Sequence, residues 1–226
     1  MISSPRPDAV GLLISGGLDS GILLADLLRR GRDVQPLYVR AGLHWEPAEL
    51  AALQRLLAHF ARPALRPLVT FDMNLADVYG GHWSVTGVGV PGAATPDEAV
   101  YLPGRNALLL IKPAIWCALH GVEELALAAL GSNPFADATP EFFAGLERTL
   151  SLATSKPLRF TKPFGKLHKD EVMRLGRGLP LELTFSCIAP ADGLHCGECN
   201  KCEERRNAFR ASKLPDPTCY AAVGKR

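Results

Sequence analysis

The stretch that most limits what this chain can fold into runs from Val10 to Leu28. An apolar run, Val10 to Ile14, enters Ser15-Gly16-Gly17-Leu18-Asp19-Ser20, and a helix-compatible run, Ile22 to Leu28, leaves it. Strand, glycine turn and helix in that order commit the chain to a crossover, and so to a parallel sheet. The glycine pair lets the backbone turn sharply and approach a ligand with no Cβ in the way. The amides of the first helical turn then face a site that favours an anion. Ser15 and Ser20 add hydroxyl donors. Asp19 repels a phosphate unless a cation lies between them, and Mg²⁺ shared by the carboxylate and phosphate oxygens resolves the conflict. A ligand-free tight turn is the plainer account. The convergence of glycine, serine and aspartate favours a pyrophosphate and metal site built on Leu13, Ile14, Ser15, Gly16, Gly17, Leu18, Asp19, Ser20, Gly21, Ile22 and Leu23. No Lys follows the glycines as in a Walker loop, and the third spaced Gly of a dinucleotide fingerprint is missing.

The rest of the chain alternates in the same way. Val34 to Val39 reads as a buried strand, Pro47 to Phe60 as a helix with Pro near its start, and Leu65 to Phe71 as a strand weakened by Pro67. Asp72 to Leu102 lacks periodicity, and a loop of that length suggests either a substrate-facing flap or a mobile insert. It ends in Pro103-Gly104-Arg105-Asn106 before the apolar run Ala107 to Leu119. Two accounts of that junction stay open: an Asn106 N-cap beside a solvated Arg105, or an arginine clamp on phosphate or carboxylate. Glu124 to Leu130 reads as a fourth strand, Gly131 to Pro140 as a loop at its C-terminal end, Glu141 to Ala153 as a helix, and Lys169 to Leu175 as a short helix stopped by Gly176. Lys156, Arg159, Lys162, Lys166 and Lys169 form either a solvated basic face or a source of one phosphate contact. The expected fold is α/β, a doubly wound parallel sheet over residues 1–180. A zinc-binding helical segment, 181–226, packs on it.

That last segment is set by cysteines. Four of the six cysteines, Cys187, Cys196, Cys199 and Cys202, crowd into one stretch with the pattern Cys-x8-Cys-x2-Cys-x2-Cys. Cys-x2-Cys turns place thiolates on one side of an ion, and four thiolates describe a closed structural zinc site with no open position for catalysis. Spacing alone leaves an iron–sulfur cluster open. His195 adjoins Cys196 and could replace a thiolate, though a place beside the ligand set or an exposed one is the stronger expectation.

The Ser-Gly-Gly-x-Asp-Ser loop resembles that of the N-type ATP pyrophosphatases, which split ATP into AMP and pyrophosphate. Taken in order, this loop, Pro103-Gly104-Arg105-Asn106, Ser186-Cys187, His195-Cys196-Gly197-x-Cys199-x-x-Cys202 and Glu204-Arg205-Arg206-Asn207-Ala208-Phe209 are similar to the 7-cyano-7-deazaguanine synthase family of the queuosine pathway. The resemblance covers most of the chain and implies a sheet of the adenine nucleotide α-hydrolase type. It implies an ATP- and Mg²⁺-dependent ligase that adenylates 7-carboxy-7-deazaguanine, displaces AMP with ammonia to give the amide, and uses a second ATP to form the nitrile. Asp19, Arg105 and Lys169 are then the candidate catalytic residues. The resemblance also implies a homodimer, with an exposed Trp45, Trp83 and Phe71 region as a contact.

Two loops depart from the family. Gly131-Ser132-Asn133 runs through only Pro134 to Thr139 before Pro140-Glu141-Phe142, without the family's Asp-Tyr-Ser-Gly-Tyr-Pro-Asp-Cys-Arg. Val39-Arg40-Ala41-Gly42-Leu43-His44 stands where the family has Asp-Tyr-Gly-Gln-Arg-His. A paralogue that joins another carboxylate or amine therefore stays open. So do an AMP-forming tRNA-modifying enzyme, for which Cys117 in a buried helical run is a poor thiol, and a zinc-bearing nucleotide-binding regulator. A formal net charge of +2 argues against nucleic acid as an obligate partner. The chain has no apolar run long enough to span a bilayer and no signal-like stretch in Met1 to Pro7, so the cytoplasm is expected.

Overall fold

The computed structural model describes residues 9–131 and 133–221. The expectation that Met1 to Pro7 holds no signal-like stretch, and the position of Ser132, lie outside the described residues.

Five parallel strands form one sheet in the order β3-β2-β1-β4-β5. They are β1 (Val10–Leu13), β2 (Val34–Arg40), β3 (Val69–Asp72), β4 (Glu124–Ala126) and β5 (Arg159–Thr161). Val10 pairs with both Val34 and Glu124, so β1 is central. The chain winds outward from β1 through β2 to β3. It then crosses back to β4 and β5 on the other side. This reversal between β1 and β4 opens a crevice at the strands' C-terminal ends. Only Arg40 of β2 is exposed, the mark of a strand covered on both faces.

Helices α1 (Leu18–Arg29) and α2 (Glu46–His59) cover one face, joined by α7 (Lys169–Leu175) and α8 (Asn200–Ser212). Leu12, Ile22, Leu53, Val172 and Phe209 share that core. Helices α5 (Arg105–Leu119) and α6 (Pro140–Thr154) cover the other face, where Leu37, Leu110, Leu125 and Phe143 pack together. Each such fully buried Leu or Phe contributes roughly 1.5–3 kcal/mol. Two single-turn helices, α3 (Ala76–Tyr79) and α4 (Trp83–Thr86), interrupt the long connection after β3.

Several boundaries differ from those expected. Strand β3 begins at Val69 rather than Leu65, because Arg66 is drawn to Asp33 at 2.7 Å and the Pro67 carbonyl takes the Gln35 amide. Strand β4 stops at Ala126, and Leu127 to Leu130 continue without strand structure. Strand β5 is unexpected: it has only three residues at the sheet edge, and pairing with β4 alone defines it. The connection after β3 is not a loose insert. Ala93 N donates to Glu198 O (2.9 Å), Asn200 N to Pro91 O (2.9 Å), and Asn200 Nδ2 to Thr95 O (2.8 Å). Leu75, Val100 and Leu102 are buried in one cluster with Trp45, Cys187, Cys199 and Cys202. Trp45 is therefore interior, stacked on a half-buried Trp83 at 5.9 Å, and Phe71 is half-buried, so the exposed aromatic patch expected for a dimer contact is not there. No helix among the described residues is long and apolar enough to cross a membrane.

Candidate active site

A cavity of about 320 Å³ lies in the crevice, within the range of small-molecule sites. Its walls come from the ends of β1 (Leu13, Ile14), β2 (Tyr38, Val39) and the segment after β4 (Leu127, Ala128, Ala129). The Ser15–Ser20 loop crosses its mouth. Gly17 caps α1 with no side-chain cap bond, which leaves the first-turn amides for a ligand. Gly16 has φ +81°, and a Cβ at that position would meet Leu53 of α2 at 3.1 Å. The two hydroxyls meet at 3.4 Å, Ser15 Oγ to Ser20 Oγ.

The structure brings the three candidate catalytic side chains to this cavity. Lys169, at the start of α7, donates from Nζ to both carboxylate oxygens of Asp19 at 2.8 Å. Glu204 lies 3.9 Å from the same Nζ and also holds Lys201. Burial alone would raise the Glu204 carboxyl, but Lys201 and Lys169 keep it below the ordinary range. Lysines and carboxylates thus alternate beside the loop. Of the other basic residues, Lys162 sits over the Phe143 ring at 4.4 Å, while Lys156, Arg159 and Lys166 are exposed.

Arg105 also lines the cavity. Its guanidinium lies 5.9 Å from the Trp45 ring, and its buried Nε has no partner among the described residues. The side chain is thus half-buried rather than simply solvated. The Asn106 cap fails. Gly104, with φ +76°, caps α5, while Asn106 N donates to Asp137 Oδ2 (3.0 Å) and Asn106 Nδ2 to the Asp137 carbonyl (2.9 Å). Buried Asp137 belongs to the short 131–140 loop, which thus holds the start of α5.

Sequence reasoning singled out neither Asp137 nor the pair of Tyr38 and Glu49. The Tyr38 hydroxyl donates to Glu49 Oε1 at 2.9 Å, and both side chains line the cavity. Burial pushes the Glu49 carboxyl up to about 7, opposed by Arg105 and by donors from Tyr38 and Trp45. Cys117 is fully buried and its thiol is pushed up to about 12, as expected of an inert core residue.

The four cysteines converge. Their sulfurs all lie within 4.8 Å of one another and could hold a metal ion. Cys187 and Cys199 are 3.7 Å apart, Cys196 and Cys202 3.9 Å. The amides of Ala189, Cys196, Gly197, Glu198 and Cys199 point at these sulfurs from 3.3–3.4 Å, a pattern that stabilises thiolates. His195 is neither ligand nor exposed: it is buried, and its Nε2 accepts from Ser186 N at 3.2 Å.

One strap joins cluster and cavity. Phe185 N donates to Gly16 O at 2.8 Å, and Cys187 follows two residues later. Arg205, 1% exposed, fixes the strap by donating to Thr184 Oγ1 (2.9 Å), Ser186 Oγ (3.4 Å) and Leu181 O (2.8 Å).

Comparison with known proteins agrees with this layout. The chain is 33% identical over 227 residues to a 7-cyano-7-deazaguanine synthase of Thiobacillus denitrificans, covering 96% of the chain and 99% of that protein. A synthase of the same name from Anaeromyxobacter is 31% identical over 235 residues, covering 97% of the chain and 99% of that protein. Among solved structures, the U34-tRNA thiolase NcsA of Methanococcus maripaludis, which carries a [4Fe-4S] cluster, aligns with TM-score 0.51 and 15% identity over 97% of the chain and 77% of its own. A 4-thiouridine synthetase bound to RNA and ATP aligns with TM-score 0.50 and 16% identity, over 91% of the chain and 50% of its own. These two share the fold. The profile described as "Queuosine biosynthesis protein QueC" matches residues 9–213, from the residue before β1 to the residue after α8. A match of that extent, with relatives aligned end to end, makes the chain a member of the QueC family and an ATP-dependent enzyme of the PP-loop type.

Proposed function

We propose that the protein converts 7-carboxy-7-deazaguanine to 7-cyano-7-deazaguanine with ATP and ammonia. The observation that carries this proposal is the meeting, in one cavity, of the Ser15–Ser20 loop and an arginine whose buried Nε lacks a partner. The loop amides receive the phosphates of ATP, and Arg105 receives the substrate carboxylate. A carboxylate oxygen attacks the α-phosphorus, and the bond to pyrophosphate breaks. Ammonia then attacks the acyl carbon, the bond to AMP breaks, and one proton leaves with the nitrogen's conversion to an amide. A second ATP activates the amide oxygen, whose departure as AMP, with loss of the two N–H protons, leaves the nitrile. Lys169 and the loop amides stabilise the departing pyrophosphate. Mg²⁺ brought with ATP would be held by Asp19 and would offset phosphate charge.

The cysteine cluster is proposed to hold structural zinc. A zinc–sulfur bond of about 2.3 Å gives a tetrahedron with edges of about 3.8 Å; two of the sulfur separations, 3.7 and 3.9 Å, bracket it, and all lie within 4.8 Å. An iron–sulfur cubane interposes four irons and would hold the sulfurs further apart.

The test is product analysis by mass spectrometry after incubation with 7-carboxy-7-deazaguanine, MgATP and ammonium. Nitrile, AMP and pyrophosphate are expected, and Asp19→Ala should abolish all three. Absence of AMP with the unaltered protein overturns the proposal, and amide without nitrile removes its second activation.

A further inference from the structure

Glu49 has no part in the steps above, yet its surroundings are built. It stands in the first turn of α2, one turn before Leu53, the residue that a Cβ at Gly16 would meet. That position puts it beside the phosphate loop and on the cavity wall. Its partner Tyr38 is 3% exposed and fixed in β2, so the hydroxyl holds Glu49 Oε1 in one place. A carboxylate offers about four acceptor positions, and the Tyr38 hydroxyl takes one on Oε1, so acceptor capacity remains for a ligand. Arg105, 5.9 Å from the Trp45 ring centroid, lines the same cavity and opposes the upward shift of Glu49. The cavity therefore presents a carboxylate acceptor, an indole, and a guanidinium whose buried Nε has no partner among the described residues.

A ligand complementary to that set is flat and carries a carboxylate for the guanidinium and adjacent N–H donors for Glu49. We propose that Glu49, held by Tyr38, is the specificity-determining residue of the site, accepting from a ring N–H and a neighbouring exocyclic amine on the substrate heterocycle. This rests on the function proposed above, whose substrate carries those donors on the edge away from its carboxylate. Adenine fits Glu49 less well, because its edge pairs one donor with one acceptor, whereas a carboxylate supplies acceptors only. Desolvation raises the half-buried Glu49 carboxyl, and the ligand's N–H donors would favour its charged form.

The experiment compares 7-deazaguanine with 7-deazahypoxanthine, which lacks the exocyclic amine, by calorimetric titration of the metal-loaded protein. The unaltered protein should prefer 7-deazaguanine by about 10- to 100-fold, the scale of a hydrogen bond to a charged group. Glu49→Gln should lose most of that preference. It should also raise KM for 7-carboxy-7-deazaguanine by a similar factor, with KM for ATP changed less than about twofold. Tyr38→Phe, which keeps the buried ring, should lose part of the preference and serves if Glu49→Gln does not fold. Equal binding of the two heterocycles by the unaltered protein overturns the inference, as does a preference that survives both substitutions. A rise in KM confined to ATP assigns Glu49 to adenine and also overturns it. The two proposals separate cleanly. Amine-dependent binding without AMP formation leaves this inference standing and removes the function, while turnover without amine preference does the reverse.

Discussion

Replacing Gly16 by Ala should damage both fold and ATP binding, for reasons that can be separated. Gly16 has φ +81°, and an added Cβ would sit 3.1 Å from Leu53 Cβ and 3.3 Å from Leu53 Cα. The left-handed backbone costs a Cβ-bearing residue roughly 1–2 kcal/mol. The contact adds to this, because its partners are the stem and backbone of a helix and not a flexible side-chain end. Together they amount to about 2–3 kcal/mol, or about 5–10 °C in Tm for a chain of this size. Gly31 is the control. It has φ +74° with nothing within 4 Å of its Cβ position, so Gly31→Ala should show the backbone cost alone, about 1–2 kcal/mol, and normal ATP affinity. In Gly16→Ala, relief comes only by shifting the loop, which should lower kcat/KM for ATP by about 100-fold. Adding Leu53→Ala should bring no rescue, since Cβ and Cα remain. Thermal melts and ATP titrations of the variants decide the matter. Equal behaviour of the Gly16 and Gly31 variants, or rescue by the trimmed Leu53, would refute the reasoning.

The remaining expectations concern the cluster and the charge network. Dialysis against a strong chelator should remove about one zinc per chain and lower Tm by about 10 °C or more, since the ion's binding energy is folding energy; an unchanged melt would remove the structural role. Lys169→Met should lower kcat/KM for ATP by about 100-fold while moving Tm by less than about 2 °C, because the Asp19–Lys169 pair is about a quarter exposed and screened. A large loss of stability with normal kinetics would show the lysine to be a structural residue.

The parts readable from sequence were those whose chemistry is local. The strand, glycine turn and helix around Ser15–Ser20 sit in one continuous stretch, and the cysteine spacing encodes its own convergence. Helix α7 occupies the expected Lys169–Leu175 because Gly176 stops it. What escaped depends on neighbours brought by the fold. Strand β5 has no apolar run of its own. Trp45 looks like a surface aromatic until Trp83, 38 positions later by their numbers, closes over it. Glu49 lies in a helix with acidic residues in its first turn, where a carboxylate usually faces water and favours the helix dipole. Only the packing of α2 against the phosphate loop turns it inward. Asp137 and Arg205 likewise gain their roles from partners distant in sequence, Asn106 at the start of α5 and the strap at Thr184 to Ser186.

That strap has a consequence for how the enzyme matures. The backbone that carries Cys187 into the cluster is the same backbone that donates to Gly16 O, two residues apart. If the cluster holds the proposed ion, a newly made chain without it should have a weaker brace under its phosphate seat. Such a chain should consume ATP more slowly, and nucleotide affinity would become a gauge of metal loading. On that reading the strap would serve as an assembly checkpoint, in which an ion that never meets substrate decides when the catalyst starts.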